Sequence, residues 1–429
     1  MGGQALTSGG VPIVACHDCG RLHRLQSVPD GYKATCGRCG GVFWRARPHG
    51  IEHALAFTLS ALVLYLVALL SPFMTFDLEG RSQTMTLFTG VEGLYRDGMW
   101  PLALTVLLTI MVFPPAKLMA GLYVLLPLRL GWRPPQGAPY VFRASRLMAP
   151  WAMGEFFLLG AIVAYVKLSD FARLEINAGA FALIGAILAM AAADAALEPR
   201  AVWERIRPQA RAPQDAELDD GRLLACHSCG QISDAGAQTS AFGLACPRCH
   251  ASLHARKPGS VARTWALVLT AAILYIPANL LPVMAVIYFG ASQPDTILSG
   301  VKELVAADMW PVALLVFFAS ITVPVLKLCG LVFLLLSVQR GSTWRRRDKT
   351  LLYRIVEGIG RWSMVDIFMI SILVGLVNLG ALATIEPRAG ALAFAAVVVI
   401  TMLASMAFDP RLIWDVAEDD GARRQTRRP

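Results

Sequence analysis

Eight cysteines in four Cys-x-x-Cys pairs are the residues of this chain best suited to chemistry. Cys16, Cys19, Cys36 and Cys39 recur 210 residues later as Cys226, Cys229, Cys246 and Cys249, with sixteen residues between the pairs in both copies. Two thiolates at i and i+3 on a tight turn face one ion, and a second such turn, returned by a short hairpin, completes a tetrahedral S4 site. Gly20, Gly40 and Gly230 follow three of the pairs and supply the left-handed backbone such turns need; His250 fills that place in the fourth. Structural disulfides and redox-active dithiols are the alternative chemistries, and the matched frames favour metal over both. Zinc is the expected ion, and iron is the other that an S4 cage accepts. Each ribbon is too small to fold on apolar burial alone, so the metal is expected to be structural, with no open position for catalysis.

Composition dictates what carries these ribbons. The 429 residues are 56% hydrophobic and 16% charged, too apolar for soluble domains. Apolar stretches able to cross a bilayer, which takes about 20 residues, run near 53–76, 99–126, 149–168, 178–197, 263–289, 309–338, 362–384 and 389–408. Trp100, Trp151, Trp310 and Trp362 open four of them, as interfacial aromatics do. The expected fold is therefore an all-α polytopic membrane protein, a tandem duplication of a four-helix transmembrane module (51–205 and 261–416). A small cytoplasmic zinc ribbon (12–48 and 222–258) precedes each module, and a basic cytoplasmic tail (417–429) follows.

Loop charge orients the spans. Arg129, Arg133, Arg143 and Arg146 follow the second span without an acid, and Arg340, Arg345, Arg346, Arg347 and Lys349 follow the sixth against Asp348 alone. Both loops are expected inside, and the acid-rich loops holding Asp77, Glu79, Glu92 and Asp97, or Asp295, Glu303 and Asp308, outside. Both termini and both ribbons are then cytoplasmic, where a reducing compartment keeps the thiols free. The segment before Cys16 has neither a basic start nor an apolar core, so no cleaved signal peptide is expected. The net charge of +9 is read as topology and lipid headgroup contact rather than nucleic-acid binding.

The halves superimpose in sequence. At an offset of 210, Met99-Trp100-Pro101 matches Met309-Trp310-Pro311, and Pro114 with Lys117 matches Pro324 with Lys327. At 211, Trp151 to Glu155 matches Trp362 to Asp366, and Glu198-Pro199-Arg200 matches Asp409-Pro410-Arg411. An even number of spans per unit gives both copies the same orientation.

The order of ribbon, four spans, ribbon, four spans, with Trp151–Leu168, Asp295–Val301 and Trp362–Gly390, resembles the paraquat-inducible protein A family. The resemblance implies an inner-membrane protein of diderm bacteria. Its implied partner is a periplasm-spanning tunnel built of mammalian-cell-entry domains, and its implied cargo is phospholipid moved between the membranes. It also implies a polar network at Lys327, Asp366, Ser320, Ser363 and Thr401.

Residue positions bear on that network directly. Lys327 lies seventeen residues past Trp310 on an inward span, roughly 25 Å along it, and Asp366 four residues into an outward one, so the two are expected at the same depth and paired. Ser320 shares the helical face of Lys327 at a spacing of seven, and Ser363 that of Asp366. Lys117 and Glu155 are the first-half equivalents, whereas Ile110, Ala152 and Met190 replace the hydroxyls. A buried pair of this kind is a structural or snorkelling ion pair on one reading, and a transport or proton-coupling site on the other. Pro277, Pro282 and Pro72 are expected to kink their spans. Lys167 is read as snorkelling, and Cys329 as an inert apolar residue. No phosphate loop, dinucleotide turn or H-E-x-x-H helix is present, so no enzyme is expected. A redox or stress-responsive metalloprotein, and a passive anchor for the tunnel, are the alternative functions.

Overall fold

The computed structural model describes residues 13–25, 28–47, 49–78, 81–169, 173–208, 223–234, 245–288, 291–377 and 383–415. The tail, Glu79 and nearly all of the linker between the halves fall outside them. Among the described residues, eight helical segments are long and apolar enough to cross a membrane: Gly50–Leu70, Trp100–Leu130, Ala138–Leu168, Ala178–Ala196, Ser260–Leu280, Trp310–Gln339, Arg346–Leu376 and Ala389–Asp415. These are the first to eighth spans below, and they define a polytopic membrane protein.

The first and fifth spans end earlier than expected. Ser71 and Leu281 take extended backbone, and Pro72 and Pro282, with no N–H to continue a helix, lie beyond the caps. Of the three prolines expected to kink these spans, Pro277 alone lies inside a helix. The chain then enters strands Met74–Leu78 and Met284–Tyr288. Each is the centre of a three-stranded antiparallel sheet, flanked by Arg81–Met85 and Arg173–Ile176 in one half and by Ala291–Asp295 and Ala383–Pro387 in the other. The molecule is thus mostly helical rather than all-α. The two central strands escape notice in the sequence because they follow apolar helices within a few residues, and the flanking strands because they are short and polar.

The arginine loops are helices too. Ala138–Met148 and Arg346–Ile359 each lead, through a short 3₁₀ turn at Ala149–Trp151 or Trp362–Met364, into the membrane helices Gly154–Leu168 and Val365–Leu376. Every residue of Val365–Leu376 is buried, which makes this the central helix of the molecule. Glycines let its neighbours approach. A Cβ on Gly375 would lie 2.9 Å from the Cα of Gly90 in helix Leu87–Arg96 of the first half. Because that obstacle is backbone, Gly375→Ala should cost about 1–3 kcal/mol, measured as a lower thermal midpoint in detergent; an unchanged midpoint would show that the two helices can separate freely.

The second and sixth spans share a local irregularity. Each contains a π-helical turn, Leu107–Val112 and Phe318–Thr322, just before Pro114 and Pro324. Proline removes a donor and clashes with the carbonyl four residues back, so the ladder widens there. A tyrosine from the neighbouring span supplies a donor to the loosened backbone. Tyr65 donates to the Ile110 carbonyl, and its equivalent Tyr275 to that of Ile321 at 3.3 Å.

Candidate functional site

Two hairpins, Ile13–Ala15 with Leu22–Arg24 and Lys33–Thr35 with Val42–Arg45, carry the first two cysteine pairs on their turns. Leu223–Ala225 pairs with Ile232–Asp234, and Ala245 with Ser252, around the other two. Gly20, Gly40, Gly230 and His250 all take the left-handed conformation, with φ of 73°, 72°, 72° and 56°. Each turn is closed by an N–H to carbonyl bond of 2.8–2.9 Å back to the first cysteine of its pair.

All eight sulfurs are buried, and within each set of four the sulfurs lie within 4.8 Å of one another. Sulfur–sulfur contacts of 3.4 and 3.6 Å occur in the first set and two of 3.5 Å in the second. A disulfide would need about 2.05 Å, whereas a zinc tetrahedron with bonds of about 2.3 Å has edges of about 3.8 Å. The cysteines are free thiols that fit a metal ion and not a disulfide. Donors stand ready around the sulfurs: His23 Nε2 is 3.2 Å from Cys36 Sγ, and Arg354 Nη2 is 3.6 Å from Cys39 Sγ. Such outer contacts offset the negative charge of an S4 centre.

The caps dock mainly crosswise, with smaller contacts to their own halves through Arg200 to the Ala15 carbonyl and Arg256 to Asp415. The cap at the N-terminus binds the second half: Arg354 Nε donates to Asp18 at 2.9 Å, Arg347 to the carbonyls of Gly37 and Arg38 at 2.6 and 2.9 Å, and the Arg38 guanidinium lies 4.9 Å over the Trp414 ring. The mid-chain cap binds the first half. Arg143 donates to the Cys249 carbonyl at 3.2 Å, Arg207 to that of Pro247 at 3.3 Å, Arg248 pairs with Glu204 at 2.8 Å, and the His250 ring stacks on Tyr140. The helices receiving the caps are those that stand where arginine loops were expected.

The polar residues of the second half are buried, but they divide into two groups. Lys327 donates to the Thr401 hydroxyl at 3.2 Å and packs against Gly360, where an added Cβ would come within 2.7 Å of its nitrogen. Asp366 lies elsewhere. Both its carboxylate oxygens are buried without a hydrogen-bond partner, and it lines a cavity of about 40 Å³ with Ser320, Lys167 and Asp295. No ion pair joins it to Lys327. Ser320 itself donates to the Val316 carbonyl at 2.7 Å, and Ser363 is buried in the 3₁₀ turn before Asp366.

The π turn explains the division. Without it a spacing of seven would put Ser320 and Lys327 on one face; the extra residue rotates everything beyond it by about 100°. Ser320 therefore faces the Asp366 cavity and Lys327 faces the eighth span. The first-half pair is likewise not formed. Lys117 pairs with Asp194 at 2.6 Å, and Glu155 lies 3.6 Å from Arg361 of the second half. Sequence reasoning passed over Asp194, although a lone acid in an alanine-rich span is a signal for a buried partner. It also took Lys167 for a snorkelling side chain; Lys167 lines the cavity that ends on Asp366.

Among the described residues, eight helices able to cross a membrane, with two S4 caps at one end, two small sheets at the other and buried ionisable groups between, define a multi-pass membrane protein whose caps could hold metal ions. The sequence profile described as paraquat-inducible protein A matches residues 51–207 and 261–418, and the chain belongs to that family. It is 33% identical over 410 residues to intermembrane transport protein PqiA of Escherichia coli (strain K12), covering 94% of this chain and 95% of that one. It is 30% identical over 411 residues to lipophilic envelope-spanning tunnel protein A of the same organism, covering 95% and 92%. A probable intermembrane transport protein of Haemophilus influenzae is 28% identical over 419 residues, covering 96% and 98%. No solved structure matches the chain.

Proposed function

We propose that this protein is the inner-membrane component of an intermembrane phospholipid transport system, loading lipid into, or receiving it from, a periplasm-spanning tunnel of mammalian-cell-entry domains. Its two halves are read as a duplicated four-helix module, its caps as cytoplasmic zinc ribbons, and both its termini as cytoplasmic. Relatives named as intermembrane transport proteins, matched over nearly their full length, support the transport reading. The arginine-rich helices beside the caps support the orientation, and the free thiols support a reducing compartment.

One observation carries the mechanism: a buried, unpartnered carboxylate at Asp366, in the first turn of a broken membrane helix, at the end of a cavity reaching the sheet end of the molecule. An unpaired charge in such a place is costly, so the group is suited to binding and releasing a proton as lipid moves. Lys327 and Thr401 form the second part of the same polar network. The test is transfer of a fluorescent phospholipid from proteoliposomes to the tunnel protein, with and without a proton gradient. Transfer is expected to need this protein and to slow when the gradient is collapsed. Full transfer without a gradient would refute the coupling, and no transfer together with tight binding to the tunnel would leave the chain a passive anchor.

A further inference from the structure

A cavity of about 260 Å³ lies between the two caps, against about 40 Å³ for the one at Asp366. It has room for several waters or a small solute. Ala15, Cys16 and Gly20 line it from one cap, Cys226 and Gly230 from the other. Four arginines, Arg146, Arg200, Arg256 and Arg411, converge on it, with His17 and His227; Glu198 is the one acid among the lining residues.

Arg200 and Arg411 occupy equivalent places in the two halves, and each rests on the glycine of a metal-site turn. An added Cβ at Gly230 would lie 3.6 Å from Arg200 Nε, and one at Gly20 would lie 3.4 Å from Arg411 Cδ. Their commitments differ. Arg411 Nε is held by Asp409 at 3.2 Å, and Arg256 is paired with Asp415. Arg200 donates through Nη2 to the Ala15 carbonyl at 3.2 Å, but its Nη1 is buried with no partner. Arg146 is exposed and makes no hydrogen bond or ion pair among the described residues. Burial works against the Arg200 charge, lowering its pKa from the usual guanidinium value, with Glu198 and Cys16 acting the other way. A buried donor without a partner is destabilising, and a guanidinium fork matches the paired oxygens of a phosphate.

We propose that this cavity binds a phosphate-bearing anion, held by Arg200 and Arg146, with Arg256 and Arg411 completing the positive wall. The phosphate belongs to a free solute or to a lipid headgroup, and the two sources are separable. The full-length protein, carrying both metals in a neutral detergent, is titrated with inorganic phosphate by calorimetry. In parallel it is exposed to phosphatidylglycerol vesicles, re-extracted and analysed by native mass spectrometry for retained lipid. Saturable phosphate binding that weakens about tenfold or more in Arg200→Gln, and less in Arg146→Gln, with two metal equivalents kept, supports a free solute. Weak phosphate binding with phosphatidylglycerol retained by the native chain and lost from both variants supports a headgroup.

If neither probe binds, or both variants bind as the native chain does, the proposal falls. Arg200 would then serve only to offset thiolate charge, which loss of metal from Arg200→Gln without any anion binding would also indicate. Should Arg200→Gln fail to fold, Arg146→Gln decides, since an exposed side chain without partners can be removed without disturbing the caps.

Discussion

Asp366→Asn should abolish lipid transport while leaving protein level and fold intact. The amide has the volume of the carboxyl, so the cavity it lines with Ser320 and Asp295 keeps its shape. It also removes the charge from a buried group that has no hydrogen-bond partner on either oxygen. Stability is therefore expected to hold or rise, since a neutral amide is cheaper to bury than an unpaired charge. A purely structural Asp366 predicts full transport in the variant. Complementation of a transport-deficient strain, with membrane protein level measured in the same cells, separates the two. Lys327 calls for a different substitution. Lys327→Ala would open a void, so Lys327→Met, which keeps most of the volume while the Thr401 hydroxyl still donates to the Val398 carbonyl at 3.0 Å, is the sharper probe. Loss of transport in both variants with normal protein levels would place the two separated residues in one mechanism; loss in Asp366→Asn alone would leave Lys327 a structural group.

Cys19→Ser should lower the metal content from two equivalents per chain to one and unfold the first cap. Structural zinc contributes on the order of 10–16 kcal/mol to folds of this size, far more than so few apolar residues can supply. The informative readout is where the damage spreads. Because the first cap rests on Arg347, Arg354 and Trp414, hydrogen exchange should accelerate in Arg346–Ile359 of the second half and leave Gly50–Leu70, the helix that follows the cap in sequence, protected. Cys229→Ser should do the reverse, loosening Ala138–Met148. Exchange confined to each cap's own half would overturn the crosswise arrangement.

Several features were legible because their cause is local. The glycines after the cysteine pairs do take the left-handed backbone, since a tight turn through Cys-x-x-Cys leaves few other ways to close. The eight spans follow from runs of apolar residues. The separation of Lys327 from Asp366 was not legible, and a proline is the reason: Pro324 displaces the hydrogen-bond ladder and turns Ser320 away from the face of Lys327. Helical periodicity assumes an unbroken helix, and the assumption fails where the polar residues sit. The Lys117 partner went astray differently. Matching the halves suggested Glu155, but the pairing acid is Asp194, whose equivalent Ser405 is uncharged, so comparison between copies hid it.

Ligand chemistry and membrane crossing are written in residue type and short spacing: four thiolates within a hairpin's reach, twenty apolar residues in a row. These properties were therefore readable from the chain alone. Which half each cap clasps, and what Asp366 faces, depend on contacts such as Arg354 with Asp18, 336 residues apart. No period or composition records a contact of that range; it arises only when the packed helices bring the two surfaces together.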